Sequence, residues 1–155
     1  MNENYFNYAV LKSLKSLNQL PKNILYNLKS PYFLQSFILT ILPKQGPYMN
    51  IQIKFCVEFP NNFPFNPPTI TALQNLFHPN ILHSSKVCLN ILKNSWRQEV
   101  ELFAVIIALL CLLEEPNFED YANQEARDAY DNGSWNQQVL TLLNSEQYIC
   151  NINLI

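Results

Sequence analysis

Glycine is nearly missing from this 155-residue chain, with two residues in all, and no apolar run exceeds the 12 residues from Leu102 to Leu113. A bilayer span needs about 20, so this run reads as a buried helix and no membrane segment is expected. A secretory leader is not expected either, because Val10 and Leu11 run straight into Lys12 without an apolar stretch; this predicts an intracellular protein. There is no Gly-rich phosphate loop. Basic residues form no run and do not interleave with aromatics, which argues against nucleic acid as a partner. The cysteines Cys56, Cys88, Cys111 and Cys150 show neither paired two-residue spacing nor His at zinc spacing, so neither a structural metal nor a disulfide framework is expected.

What is present suffices for a core. With 48% apolar residues, 14% charged and 10 Pro, the composition excludes disorder and collagen-like architecture. A chain of this size hides roughly 68–70% of its unfolded surface, and residues 1–155 read as one domain. The formal net charge of −2 conceals an asymmetry: Lys12, Lys15, Lys22 and Lys29 face only Glu3 near the start, whereas residues 99–131 hold nine carboxylates against Arg127. Opposed blocks of this kind are solvated faces or orient different partners.

Val10, Leu11, Leu14 and Leu17 recur at helical intervals, predicting an amphipathic helix over Asn4–Leu20 that stops before Pro21. Odd positions from Ile51 to Phe59 are apolar, the period of a strand. Ser36–Leu42 reads as its antiparallel neighbour across a turn from Pro43 to Pro47 that uses Gly46. Ile24–Leu28 and Thr69–Ala72 are two further strands. Periodicity vanishes from Leu73 to Arg97, a length of irregular chain that points to function. Helices follow over Val100–Leu113, apolar on nearly every face, Gln124–Tyr130 and Ser134–Leu143. The fold class is α+β: an N-terminal helix, a four-stranded antiparallel meander, an active loop, a central helix and C-terminal helices.

Cys88 lies in the irregular segment beside Lys86 and Asn90, unlike Cys56 on a strand and Cys111 in the apolar helix, both of which read as buried small hydrophobes. Nucleophilic catalysis is the chemistry to test. Thiolate is the active species, and an ordinary thiol with a pKa near 8.5 is only a few per cent ionised at neutral pH. A thiol hydrolase would need a histidine base, and His78 and His83 stand nearby with Asn80 and Asn90. Pro79 fixes a turn directly after His78, which suggests that this ring organises backbone instead.

Phe63-Pro64-Phe65-Asn66-Pro67-Pro68, His78-Pro79-Asn80-Ile81, Val87-Cys88-Leu89-Asn90-Ile91-Leu92-Lys93 with Trp96, and Glu115-Pro116-Asn117-Phe118-Glu119-Asp120 together resemble the ubiquitin-conjugating enzyme family in residue type, order and spacing. The branch most resembled is the neddylation type, through Leu17-Asn18-Gln19-Leu20-Pro21-Lys22 and through Asn90, where ubiquitin carriers commonly have Asp. The resemblance implies the family's fold. It implies a transferase that accepts the C-terminal glycine of a ubiquitin-like modifier as a thioester on Cys88, from an activating enzyme, and passes it to a substrate lysine. No cofactor is expected on this chain, since Mg-ATP is used by the activating enzyme, and the resemblance implies cytoplasmic and nuclear localisation.

By the same resemblance Asn80 would donate its side-chain amide to the oxyanion formed as lysine attacks, or support the loop that does. Asp120 would guide the amine and take its proton. A free lysine with a pKa near 10.4 is roughly 4 kcal/mol from neutrality at pH 7, and a carboxylate alone would raise that pKa rather than lower it. Asn117, Leu82, Glu119 and Tyr121 would shape the entrance; read as plain structure, Glu119 and Asp120 are instead acids at a helix N-terminus. Lys12 and Lys15 would face the activating enzyme, and Phe65, Trp96 and Gln98 a RING-type ligase. The chain departs from the family in Gln98-Glu99, where relatives have Pro-Ala, in Leu82, a position often polar, and in Tyr121-Ala122, which replaces Pro-Leu. The neddylation branch also carries an N-terminal extension, whereas the helix read here begins almost at Met1. Ubiquitin itself as cargo, and a non-catalytic scaffold of the same fold, are the alternatives.

Overall fold

The computed structural model describes residues 3–28 and 34–145; Cys150 and the tail 149–155, like Lys29, lie outside them. The four segments read as strands fold as strands, β1 (Ile24–Leu28), β2 (Ser36–Ile41), β3 (Ile53–Glu58) and β4 (Thr69–Ala72), with β2 ending before Leu42 and β3 excluding Ile51 and Phe59. They form an antiparallel meander in sequence order. Leu39 pairs with Phe55 and Phe37 with Val57, so one face carries an unbroken apolar row, all of it buried. Alternation dictates this, because residues two apart share a face.

Helix α1 spans Glu3–Lys15, and a 3₁₀ turn over Ser16–Gln19 completes the predicted first helix. Phe6, Val10, Leu14 and Leu17 form its buried stripe. Leu11, expected in that stripe, is 54% exposed, because one residue beyond Val10 is a rotation of about 100° away from it. Helix α2, Leu102–Glu114, buries Leu102, Val105, Ile106, Leu109 and Leu113. Its opposite side is open: Cys111, read as buried, is exposed. Apolar composition all round therefore did not place this helix wholly inside the core. Helices α3 (Gln124–Asp131) and α4 (Trp135–Leu143) follow. None of the described helices is long and apolar enough to cross a membrane.

The β2–β3 connection reaches the end of α2. Gly46 has φ +78, and a Cβ there would fall on the carbonyl oxygen of Glu114. The Lys44 amide donates to the Glu114 carboxylate at 2.8 Å. A left-handed residue without a side chain is needed here on both counts. Gly46→Ala is expected to lower the unfolding free energy by about 3 kcal/mol, measured by urea denaturation; a loss under 1 kcal/mol would show that the contact yields easily.

Candidate active site

The segment from Leu73 to Arg97 lacks periodicity because isolated bridges hold it rather than a ladder. Thr71 bridges Lys86 and Ile81 bridges Val87, while the Ser85 amide donates to Leu82 and the Leu82 amide to Lys86, at 2.8 and 3.0 Å. This small hairpin, with Ser85 at φ 65, lies against the edge of β4 and delivers Cys88. The neighbours Val87 and Leu89 are buried, and Cys88 between them is half-buried. A groove of about 220 Å³ opens beside the thiol, lined by Ile70, Leu82, Lys86, Leu89 and Lys93 among others.

On its other flank Cys88 is tied to Asn80, whose carbonyl accepts the Cys88 amide at 2.8 Å. The Asn80 side chain, 2% exposed, is fully committed. Its Nδ2 donates to the carbonyls of Asn117 and Asp120, at 2.9 and 2.8 Å, and its Oδ1 accepts the Asn117 amide at 3.0 Å. An amide NH₂ has two hydrogens, and both are spent on this loop. The geometry is that of loop support, the second of the two roles read from the sequence. Asn117 continues the device, since its Oδ1 accepts the amides of Glu119 and Asp120 at 2.9 and 3.1 Å.

Glu119, Asp120 and Tyr121 are exposed on this loop, with Leu82 half-buried. The alternative reading of the two acids as a helix N-terminal pair is corrected: α3 starts at Gln124, capped by Asn123, which accepts the Ala126 amide, and the acid in its first turn is Glu125. The Ala122 and Asn123 amides both donate to the Pro79 carbonyl, at 2.7 and 2.9 Å, closing the loop onto the His78-Pro79-Asn80 turn.

His78 is wholly buried. The Asn80 amide donates to its Nδ1 at 3.0 Å, which leaves the ring proton on Nε2, facing the Leu112 carbonyl at 3.0 Å. That carbonyl is one of the four at the end of α2 without an intrahelical partner. Burial pushes the His78 pKa down to about 4, against the opposing influence of the Leu112 hydrogen bond. The ring is therefore neutral, with both nitrogens occupied and no lone pair to offer a thiol. His83, the other histidine, is exposed and faces Glu125 at 3.8 Å.

This fixes the sign of a pH effect. An unfolded histidine takes up a proton below about 6.5 while buried His78 does not until about 4, so its contribution is intact above pH 6.5 and is lost as pH falls toward 4. The loss amounts to about 3 kcal/mol. Unfolding free energies measured between pH 7 and 4 should show this slope, and His78→Gln should flatten it.

The structure also brings the expected partner-facing residues together. Lys12 and Lys15 of α1 line a groove of about 660 Å³ with Pro64 and Gln98. Phe65, 52% exposed, stacks on Tyr5 with ring centroids 6.2 Å apart. Trp96 is half-buried, its Nε1 donating to the Pro64 carbonyl at 3.0 Å, so it braces the Phe63–Phe65 turn while Gln98 lies on the open side.

The family model described as ubiquitin-conjugating enzyme matches residues 9–141. The chain belongs to the ubiquitin-conjugating enzyme family. Among its relatives, the NEDD8-conjugating enzyme UBC12 of Eremothecium gossypii is 35% identical over 119 residues, covering 77% of this chain and 64% of the relative. The enzyme of the same name from Yarrowia lipolytica is 38% identical over 120 residues, covering 76% and 67%. The chain thus spans about two-thirds of the length of these curated relatives. The solved structure of S. cerevisiae Ubc12 superposes with a TM-score of 0.78 at 29% identity, covering 88% of this chain and 75% of that one. The family fold accounts for the meander, the loop that carries Cys88 and the helices behind it. One residue of this site that reading the sequence did not single out is Arg127 of α3, whose Nη1 donates to the Phe118 carbonyl at 3.0 Å. A backbone acceptor leaves no mark in the sequence.

Proposed function

We propose that this protein is a modifier carrier of the neddylation type. The Cys88 thiolate attacks the thioester carbonyl of a ubiquitin-like modifier held on an activating enzyme's cysteine; the new thioester forms as that cysteine leaves. A substrate lysine then attacks the same carbonyl, its amine loses a proton, an isopeptide bond forms and the Cys88 thiolate departs. Asp120, on the loop held by Asn80 and Asn117, orients the amine and receives its proton. Lys12 and Lys15 dock the activating enzyme, which uses the Mg-ATP, and Phe65 with Gln98 meets a RING-type ligase.

One observation carries the choice of transfer over hydrolysis: both His78 nitrogens are already bonded, so this histidine cannot activate water beside Cys88. A carrier has to keep its cargo from water, and His78 supplies no base for that hydrolysis. The cargo is read from the relatives, which carry the name NEDD8-conjugating enzyme. The test incubates the chain with Mg-ATP and, side by side, the NEDD8 and the ubiquitin activating enzymes with their modifiers. A reductant-sensitive adduct with NEDD8, formed at least tenfold faster than with ubiquitin, is the expected result. Preference for ubiquitin would overturn the cargo, and no adduct with either would favour a scaffold.

A further inference from the structure

Two side chains from outside the loop hold main-chain carbonyls of Asn117–Asp120. Asn80 takes the carbonyls of Asn117 and Asp120 from the core side. Arg127 takes the carbonyl between them, that of Phe118, from α3. Arg127 is itself held in place: its Nε donates to one Asp131 carboxylate oxygen at 3.1 Å, and its Nη2 lies 2.8 Å from the other. This two-point fork suits the planar guanidinium and fixes where its remaining nitrogen points. The Phe118 ring stacks on Tyr130 at 3.9 Å and 17°, and the guanidinium lies 5.7 Å from the centre of the Tyr130 ring. Main chain and side chain of Phe118 are therefore both gripped by α3.

We infer that Arg127, oriented by Asp131, is a positioning residue that sets the direction of Asp120 toward the incoming lysine. It touches no reacting atom. It acts because Asp120 is two residues from a carbonyl it holds, and a displacement of about 1 Å at a catalytic group can cost 10²-fold. Without Arg127 the loop keeps three bonds to Asn80 and loses one, so the displacement should be smaller than that. This inference rests on the carrier reading of Cys88 and Asp120.

Two measurements test it on the full chain. The first compares discharge of the charged thioester by free lysine with discharge by hydroxylamine, a nucleophile already uncharged at neutral pH that needs no guidance from Asp120. Arg127→Met is expected to slow lysine discharge about tenfold while loading and hydroxylamine discharge stay within twofold. Lysine discharge unchanged, or both discharges falling together, would overturn the inference. The second needs no cargo: hydrogen exchange at the amides of Glu119 and Asp120 should accelerate at least fivefold in Arg127→Met, with the amides of β2 and β3 unaltered. Unchanged exchange would refute the clamp whether or not the protein loads a modifier. Failure of the native chain to load would count against the carrier reading alone.

Discussion

Cys88→Ser is expected to trap the carrier as an adduct that survives reductant, with onward transfer to lysine reduced to background. The serine oxygen can accept the same acyl group, but an alkoxide is a far poorer leaving group than a thiolate, so the second step stalls where the first succeeds. Cys88→Ala should form no adduct at all. The decisive control is Cys111. It is exposed on α2 and chemically available, so any adduct on it would mimic loading; Cys111→Ser should load at the native rate. Gel separation of the products with and without reductant reads all three variants. An adduct on Cys88→Ala would show that the acyl group goes elsewhere and remove the foundation of the proposed function.

Asn80→Ala carries the second large effect. It leaves the amide and carbonyl of Asn117 and the carbonyl of Asp120 without their partner. Water reaches the exposed loop and replaces part of what is lost, so the expected fall in stability is about 2 kcal/mol, against about 1–3 kcal/mol for each group left dry. Lysine discharge should drop about 100-fold, since the loop loses the support that fixes Asp120. Hydroxylamine separates this account from the oxyanion role. Any nucleophile attacking the thioester generates an oxyanion, so loss of an oxyanion donor would slow both nucleophiles by about 10²–10³. Loss of a loop support slows lysine alone. The commitment of both Nδ2 hydrogens to backbone carbonyls leads us to expect the second pattern.

The sheet was legible in the sequence because alternation is a direct image of a two-faced surface. The buried row Ile53, Phe55 and Val57, paired with Ile41, Leu39 and Phe37, is that image. The run from Ile51 was read two residues too long at its start, since Ile51 donates its amide to Tyr48 within the connection and its apolar side chain could not reveal that. Leu11 and Cys111 were misplaced for a related reason: hydrophobicity reports what could be buried, whereas the neighbouring elements decide which side is covered. Cys88, Asn80 and Asp120 stood out as candidates because they lie in short motifs with a known order, and the structure links the three through Asn80. The grip of Arg127 on a main-chain oxygen and the full engagement of the Asn80 amide were not legible, because both depend on where a distant backbone carbonyl comes to rest.

Trp135 is buried, with its Nε1 lacking a hydrogen-bond acceptor among the described residues, and its ring meets Phe118 edge-on at 5.0 Å. The molecule thereby contains its own optical reporter. With Trp96 replaced by phenylalanine, the remaining indole emission would report whether a substitution such as Arg127→Met shifts Phe118, without any attached dye.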